Sequence, residues 1–539
     1  MTPRGLGIIP WAALVCSCGS HAEPAVAMDA ASLVEASTLA DAAAPTANES
    51  GTPTDANAAT AEANQMPGDA NEMTSDAFAG DGPRGATLAP GWYLVAIDTP
   101  TRTYVDYVEV GASGVWQPGT NGWPQLAIWE KETTATATRF VKFTPGDMLT
   151  PAQIMAFLPA TARASQIIDI TSDPYKASPG SSDASAAIQA ALDHAKGLAS
   201  VGHPVDVIVP PGTFNHSKDL VVPAYVRLRG DGGGILYATS TKADNTGTGA
   251  VNLSGDGSGA LFLTLKWADA GARGGTPDDS GIWVGGRVSS GANAYVVHDT
   301  IVVGNDVSDT TSAHVFGMSE EGGLWAFNYA HDGYADAFHH TGGSNHCQVI
   351  GNRASGPGTR GDDLYAFVGY DYDPDPVHHC SCIANWGQNG YARGISAVGA
   401  GFLSVQNNVI ATTQAAGIYV AQEDGYATYG SFSVQVVRNE ISGANQNSSH
   451  DGLLAYASSP ATTKPTATFG SLPNAIRDLT LQDNTFTDTA AGIGNGYGIE
   501  VRSTCDGGVV TGNTVTHAKA PGIVVDGTSF TVSSNTFVP

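Results

Sequence analysis

The stretch GDDLYAF, residues 361–367, sets Asp362 and Asp363 side by side where the pattern otherwise alternates apolar and polar residues like a buried strand. A third acid, Asp336 in ADAFHHTGG, precedes Asp362 by 26 residues. If the chain repeats at about that interval, the three carboxylates meet on one face. Clustered carboxylates repel, and the strain is relieved when one keeps its proton, which raises its pKa toward the range useful to a general acid. Hydrolysis of a glycosidic bond needs such a pair of states, an acid for the leaving oxygen and a base for water; in an inverting enzyme the two stand about 6.5–9.5 Å apart. The competing use is structural, with Asp362 capping the turn after Gly361 and Asp363 meeting Arg360 or Arg393. An isolated Asp-Asp pair favours that use; an acid one repeat away favours chemistry.

Further candidates surround these acids. His339 and His340 point to opposite faces if they lie in a strand, so at most one of them faces a groove and could bind substrate. WGQNGYARGISAVG follows with Trp386, Tyr391 and Arg393, and VAQEDGY with Glu423. Trp386 offers a sugar-stacking platform or core packing, Arg393 a hold on a carboxylate or a substrate hydroxyl, and Glu423 an extra acid or a solvated turn. In YDYDPDPVHH, Asp371, Asp373 and Asp375 are acids in calcium-like alternation, but two prolines and a missing turn glycine make a poor calcium loop. No cofactor is expected apart from a possible Ca²⁺ there. Cys347, Cys380, Cys382 and Cys505 follow the N-terminal segment. They could form one or two disulfides, Cys347 with Cys380 or Cys382 if successive coils stack; the CSC spacing does not suit a zinc site, so a structural or free-thiol role is favoured there.

The elements that must hold these residues are repetitive. CQVIGNRAS, CSCIANWGQ, LSVQNNVIAT, VQVVRNEIS, LTLQDNTFTD, GVVTGNTVTH and FTVSSNTFV repeat one pattern, with Asn at 352, 385, 408, 439, 484, 513 and 535. The shortest steps, 22 and 23 residues, suit one coil of three short strands and three turns stacked about 4.8 Å apart, whereas a propeller blade needs about 40 residues. The repeated Asn tolerates a left-handed bend and can form a ladder with its equivalents. Sixty-six Gly, 14% charged residues and little amphipathic helical pattern agree with an all-β, turn-rich chain. One helix is expected near 183–196, capped by Asp183, with Ile188, Ala191, Leu192 and Ala195 on one face, followed by VDVIVPPGTF.

This run resembles the start of the pectate-lyase-like superfamily of right-handed parallel β-helices, where the helix caps the solenoid and VPPGTF marks the first complete coil. ADAF and GDDLYAF resemble the site layout of the polygalacturonase, dextranase and α-1,3-glucanase group of glycosidases. The resemblance implies Asp362 as general acid and Asp336 with Asp363 as water-activating bases. It departs from polygalacturonases in lacking their Gly-His-Gly and Arg-Ile-Lys motifs, so a neutral sugar is expected rather than pectin. YDYDPDPVHH distantly resembles a stretch of mannuronan C5-epimerases, which keeps a polysaccharide lyase or epimerase as an alternative; a non-catalytic adhesin is a second.

Residues 1–18 read as a signal peptide of lipoprotein type, with Cys18 as the lipidated residue. Residues 19–88 carry eleven acids, one base and almost no aromatics, the composition of a flexible tether. Residues 89–163 read as a small β-rich domain or cap with Trp92, Trp116, Trp123 and Trp129, and 164–539 as the solenoid. A net charge of −27 argues against nucleic acid and against electrostatic binding to anionic membranes. The expectation is an exported monomer, on the bacterial surface or extracellular, touching membrane only through its lipid and acting on a polysaccharide.

Overall fold

A computed structural model of the 539-residue chain describes residues 88–98, 102–112, 137–159, 163–239, 250–268, 271, 273, 280–285, 296–490 and 496–539. The expected signal, Cys18, nearly all of the tether, and Trp116, Trp123 and Trp129 lie outside them. Among the described residues no helix is long and apolar enough to cross a membrane.

Three parallel sheets of 11, 13 and 12 strands wind into a right-handed β-helix. In one coil, Gln348–Ile350 belongs to the 13-stranded sheet, Arg353–Ser355 to the 12-stranded and Tyr365–Val368 to the 11-stranded, before Ser381–Ile383 returns to the first. Alternation within each strand sorts side chains in or out. Phe338, Tyr365, Ile395, Ile418 and Leu453 stack in register inside the 11-stranded sheet.

The turn between the 13- and 12-stranded sheets carries the Asn ladder. Asn385 accepts from the Asn352 amide at 2.8 Å, Asn408 from the Asn385 amide at 2.9 Å and Asn439 from the Asn408 amide at 3.0 Å. The ladder extends two coils N-terminally of the sequence pattern, to Asn328 and Asn305. The left-handed bend falls on the residue before each ladder Asn rather than on the Asn itself. Phe327, Ala384, Asn407, Arg438, Asp483 and Ser534 all have φ between 53° and 57°. The ladder Asn thus satisfies buried amides that the sharp turn leaves unpaired.

The helix Ser185–Lys196 buries Ser185, Ile188, Ala191, Leu192 and Ala195 against the first strands. Asp183 stands one residue before the cap position and accepts from the Ser185 amide at 2.9 Å, so its capping action survives a shift in register.

Gly91–Asp98, Thr103–Val110 and Ala137–Lys142 make a three-stranded antiparallel sheet that, with the short helix Pro151–Phe157, packs on the outside of the 13-stranded sheet. Leu94, Val105, Phe143 and Phe157 meet Val303, Ala326, Ile350 and Ile383. Gln348 fixes the register, accepting from the Val105 amide and donating to the Thr103 carbonyl, both at 2.8 Å. Trp92 stacks on Tyr107 at 4.9 Å within this packing.

All four described cysteines are buried free thiols, the alternative to the disulfides that they could have formed. Coil stacking does bring Cys347 over Cys380, with the Cys347 amide 3.4 Å from the Cys380 sulfur, whereas Cys382 sits beside Asn385 of the ladder.

Candidate active site

The acids lie where chain leaving the 12-stranded sheet enters the 11-stranded one. Asp336 and Asp363 each stand two residues before a strand, Phe338–Thr341 and Tyr365–Val368, whose first residues pair across coils. Arg393 holds the same place before Ile395 in the next coil. One oxygen of each acid closes the turn of the following coil. Asp336 Oδ1 accepts from the Asp363 amide at 3.0 Å, and Asp363 Oδ1 from the Arg393 amide at 2.9 Å. Aspartate suits this job because its short side chain places a carboxylate one coil spacing from its own backbone.

The second oxygens are held as well. His339 Nδ1 donates to Asp336 Oδ2 at 2.7 Å, and the Ser396 hydroxyl donates to Asp363 Oδ2 at 2.5 Å. Burial opposes ionisation of Asp336, but the His339 hydrogen bond, with help from Arg273 and the Asp363 amide, holds its carboxyl below the usual value. Asp362 is the extra residue in an enlarged turn and stands apart chemically. Burial, reinforced by the charges of Asp336 and Asp363, pushes its carboxyl from 3.8 up to about 7, with Arg273 and Arg393 acting against the shift. Oxygens of all three carboxylates lie within 4.8 Å of one another. One carboxyl that keeps its proton near neutrality thus stands beside two that are anchored by donors.

Arg273 Nη1 meets Asp362 Oδ2 at 3.0 Å. It comes from the connection before Ile282–Gly285, three coils away, and its non-periodic origin hid it from repeat analysis. Arg393 spans from Asp363 to Glu423, with Nη2 3.0 Å from Glu423 Oε1, and lies over the Tyr419 ring at 4.4 Å. Glu423 also accepts from the Tyr419 hydroxyl at 2.9 Å and is buried rather than a solvated turn residue. Tyr391 lies beside Gly361 at the edge of the Asp362 turn. Outward residues of the same sheet continue the face. Trp283, Phe316 and His339 stack successively at 4.7 and 5.0 Å on one side of the acids. On the other side, Asp451 repeats the turn-closing role by accepting from the Tyr497 amide at 2.7 Å, and burial beside Glu500 raises its carboxyl to about 8.

Two expected substrate-binding residues are elsewhere. His340 points into the solenoid and stacks on Trp325 at 3.7 Å, because strand alternation gives the outward place to His339. Trp386 belongs to the 12-stranded sheet, where it packs near Gly146 and under Arg353. Asp371, Asp373 and Asp375 follow the strand Tyr365–Val368 and each has its own partners or burial. Asp371 pairs with Lys464, Asp375 accepts from Thr468, and burial raises Asp373 to about 7. Among the described residues, the groups of three or more convergent metal-type ligands are Asp336–Asp362–Asp363 and Glu320–His340–Cys347.

Fold and turn architecture define a right-handed parallel β-helix with a carboxylate cluster on its 11-stranded sheet. No family model matches the chain, and no curated protein matches it in sequence. Among solved structures it is similar to an exopolygalacturonase of Thermotoga maritima, with a TM-score of 0.51, 10% identity, and coverage of 72% of this chain and 95% of that one. A mannuronan C-5 epimerase A-module of Azotobacter vinelandii has a TM-score of 0.46 and 18% identity, covering 69% of this chain and 99% of its own. A family 28 exopolygalacturonase of Yersinia enterocolitica has a TM-score of 0.45 and 12% identity, covering 76% and 81%.

Proposed function

We propose that the chain is a polysaccharide-directed glycoside hydrolase with Asp362 as general acid. The observation that carries this reading is the division of labour among the three acids: Asp362 titrates near 7, while Asp336 and Asp363 are anchored by donors on both oxygens. Protonated Asp362 delivers its proton to the leaving glycosidic oxygen. Water held by Asp336 and Asp363 attacks the anomeric carbon and gives up its proton to one of them. Donors on all four base oxygens weaken either carboxylate as a nucleophile, which favours a single inverting displacement. The approach of the carboxylate oxygens to within 4.8 Å is closer than the about 6.5–9.5 Å usual between inverting carboxyls, so stereochemistry is a direct test. The similarity to a solved exopolygalacturonase supports a carbohydrate substrate through fold only.

The experiment is a screen of the purified protein against neutral and uronic polysaccharides, following reducing ends and ultraviolet absorbance together, with the anomer of the first product read by NMR. New reducing ends of inverted configuration, abolished in Asp362→Asn, are expected. Unsaturated ends would replace this reading with a lyase, altered epimer content with an epimerase, and a retained anomer with a covalent intermediate. No change in any polymer would favour the adhesin.

A further inference from the structure

Just before each strand of the 13-stranded sheet, one inward position recurs coil after coil. Strand register stacks Thr300, Gly323, Cys347, Cys380, Leu403 and Val434 in that column. The later members are apolar, as a core column should be. At Gly323 the column has no side chain of its own, and the carboxylate of Glu320 fills the gap; a Cβ at 323 would lie 1.8 Å from Glu320 Oε1. That oxygen accepts from the Thr300 hydroxyl, while Oε2 faces Cys347 Sγ at 3.9 Å and His340 Nδ1 at 3.5 Å. Gly317 makes the matching space for His340, since a Cβ there would lie 2.8 Å from Nδ1. Glu320, His340 and Cys347 are all at most 1% exposed, and neither ring nitrogen of His340 has a hydrogen-bond partner.

A buried imidazole with both nitrogens unsatisfied, aimed at a carboxylate and a thiol, is expensive to keep in a core unless something completes it. We propose that Glu320, His340 and Cys347 bind one divalent transition-metal ion of the zinc class inside the solenoid. Bonds of about 2.0–2.3 Å to oxygen, nitrogen and sulfur in a tetrahedron set ligand atoms roughly 3.3–3.8 Å apart, close to the 3.5 and 3.9 Å found here. Imidazole and thiolate donors select zinc over calcium or magnesium, which prefer all-oxygen sets. Cys380, next in the column, stands beside the site with its sulfur 3.4 Å from the Cys347 amide. Cys347 binds as the thiolate, its proton passing to solvent. Ligands drawn from sequence positions 320, 340 and 347 match no short zinc motif because two coils supply them. The ion would clamp these coils together from within, on the inward side of the strand whose outward His339 bonds Asp336.

The test uses the full-length protein, equilibrated with Zn²⁺ or Co²⁺ and desalted. Retention of one ion per chain and a near-ultraviolet thiolate-to-cobalt absorption band are expected. The band should disappear in Cys347→Ser and weaken strongly in His340→Gln, and persist in Cys505→Ser and Asp362→Asn. Zn²⁺ should also raise the melting temperature of the wild type, and a chelator should lower it. Wild-type protein that retains no ion, a cobalt complex without thiolate absorption, or a purified chain in which Cys347 is oxidised to a disulfide with Cys380 would each overturn the proposal. The wild-type spectrum decides the matter even where a variant fails to fold.

Discussion

Asp362 is held protonated toward neutrality, the state that serves proton transfer, at a cost to the fold once it ionises. Its carboxyl rises from 3.8 to about 7, so the group is harmless to stability below about pH 4 and becomes progressively destabilising as pH climbs through 7. Asp362→Asn removes that charge without changing shape. It should melt higher than the wild type at pH 8, and the two should converge near pH 4 in scanning calorimetry. The same substitution should lower kcat by about 10²–10⁴-fold, the usual share of a general acid. Arg273 acts against the rise at Asp362, so Arg273→Gln should push the carboxyl higher still. In pH–rate profiles of kcat/KM the alkaline limb, set near 7 by loss of the Asp362 proton, should then move upward. An unchanged limb would remove Asp362 from the role of acid. Both acids of the pair were readable as a charged interruption of a strand pattern, but Arg273 was not, because repeat spacing identifies only groups that recur. Which histidine faces the groove was open for a related reason: alternation says that the two part, and only the register with Phe316 and Ala366 says which goes out.

The coil owes its definition to the turn between the 13- and 12-stranded sheets. A strained left-handed residue costs about 1–2 kcal/mol when it carries a side chain, and the Asn that follows satisfies the amides exposed by the bend. Asn408 accepts from both the amide and the side-chain nitrogen of Asn385, and donates to the Cys382 carbonyl and to Asn439. Asn408→Ala leaves several of these buried groups unmet, at about 1–3 kcal/mol for an unsatisfied one. A loss of about 3 kcal/mol in urea unfolding is expected, against well under half of that for Asn535→Ala, whose ladder end is only half-buried. Stability in a solenoid is nearly a sum over neighbouring coils, so the middle rung should also lower the cooperativity of unfolding while the terminal rung frays alone. Recurrence of Asn made this element legible from the sequence. Its first two rungs, Asn305 in VVGNDVSD and Asn328 in AFNYAHD, share that pattern and bond identically.

How far the N-terminal sheet reaches along the solenoid is written on the outside of the 13-stranded sheet. One outward row reads Val303, Ala326, Ile350 and Ile383 beneath it, stays buried through Gln406 and Val437, and opens over Gln482, Thr511 and Ser533. The loss of burial after Val437 marks where the covering ends, and reading it requires the coil register that only the folded chain supplies. The acids lie on a different sheet, so the cover and the chemistry are separable. A chain beginning at residue 164 should therefore keep the carboxylate cluster while uncovering a contiguous apolar stripe. It is expected to bind a hydrophobic dye and to associate in sedimentation experiments. Any hydrolytic activity should fall with the loss of monomer rather than through a change in KM. Replacing Ile350 and Ile383 by Thr in that shortened chain should reduce both dye binding and association, because the β-branched shape suits a strand and the hydroxyl tolerates water. In the full chain the same two replacements should instead destabilise, by about 1–3 kcal/mol each, since there the side chains fill a packed interface. The opposite sign in the two backgrounds distinguishes a docking surface from an ordinary core position, and equal effects in both would mean that the N-terminal sheet does not cover this face in solution.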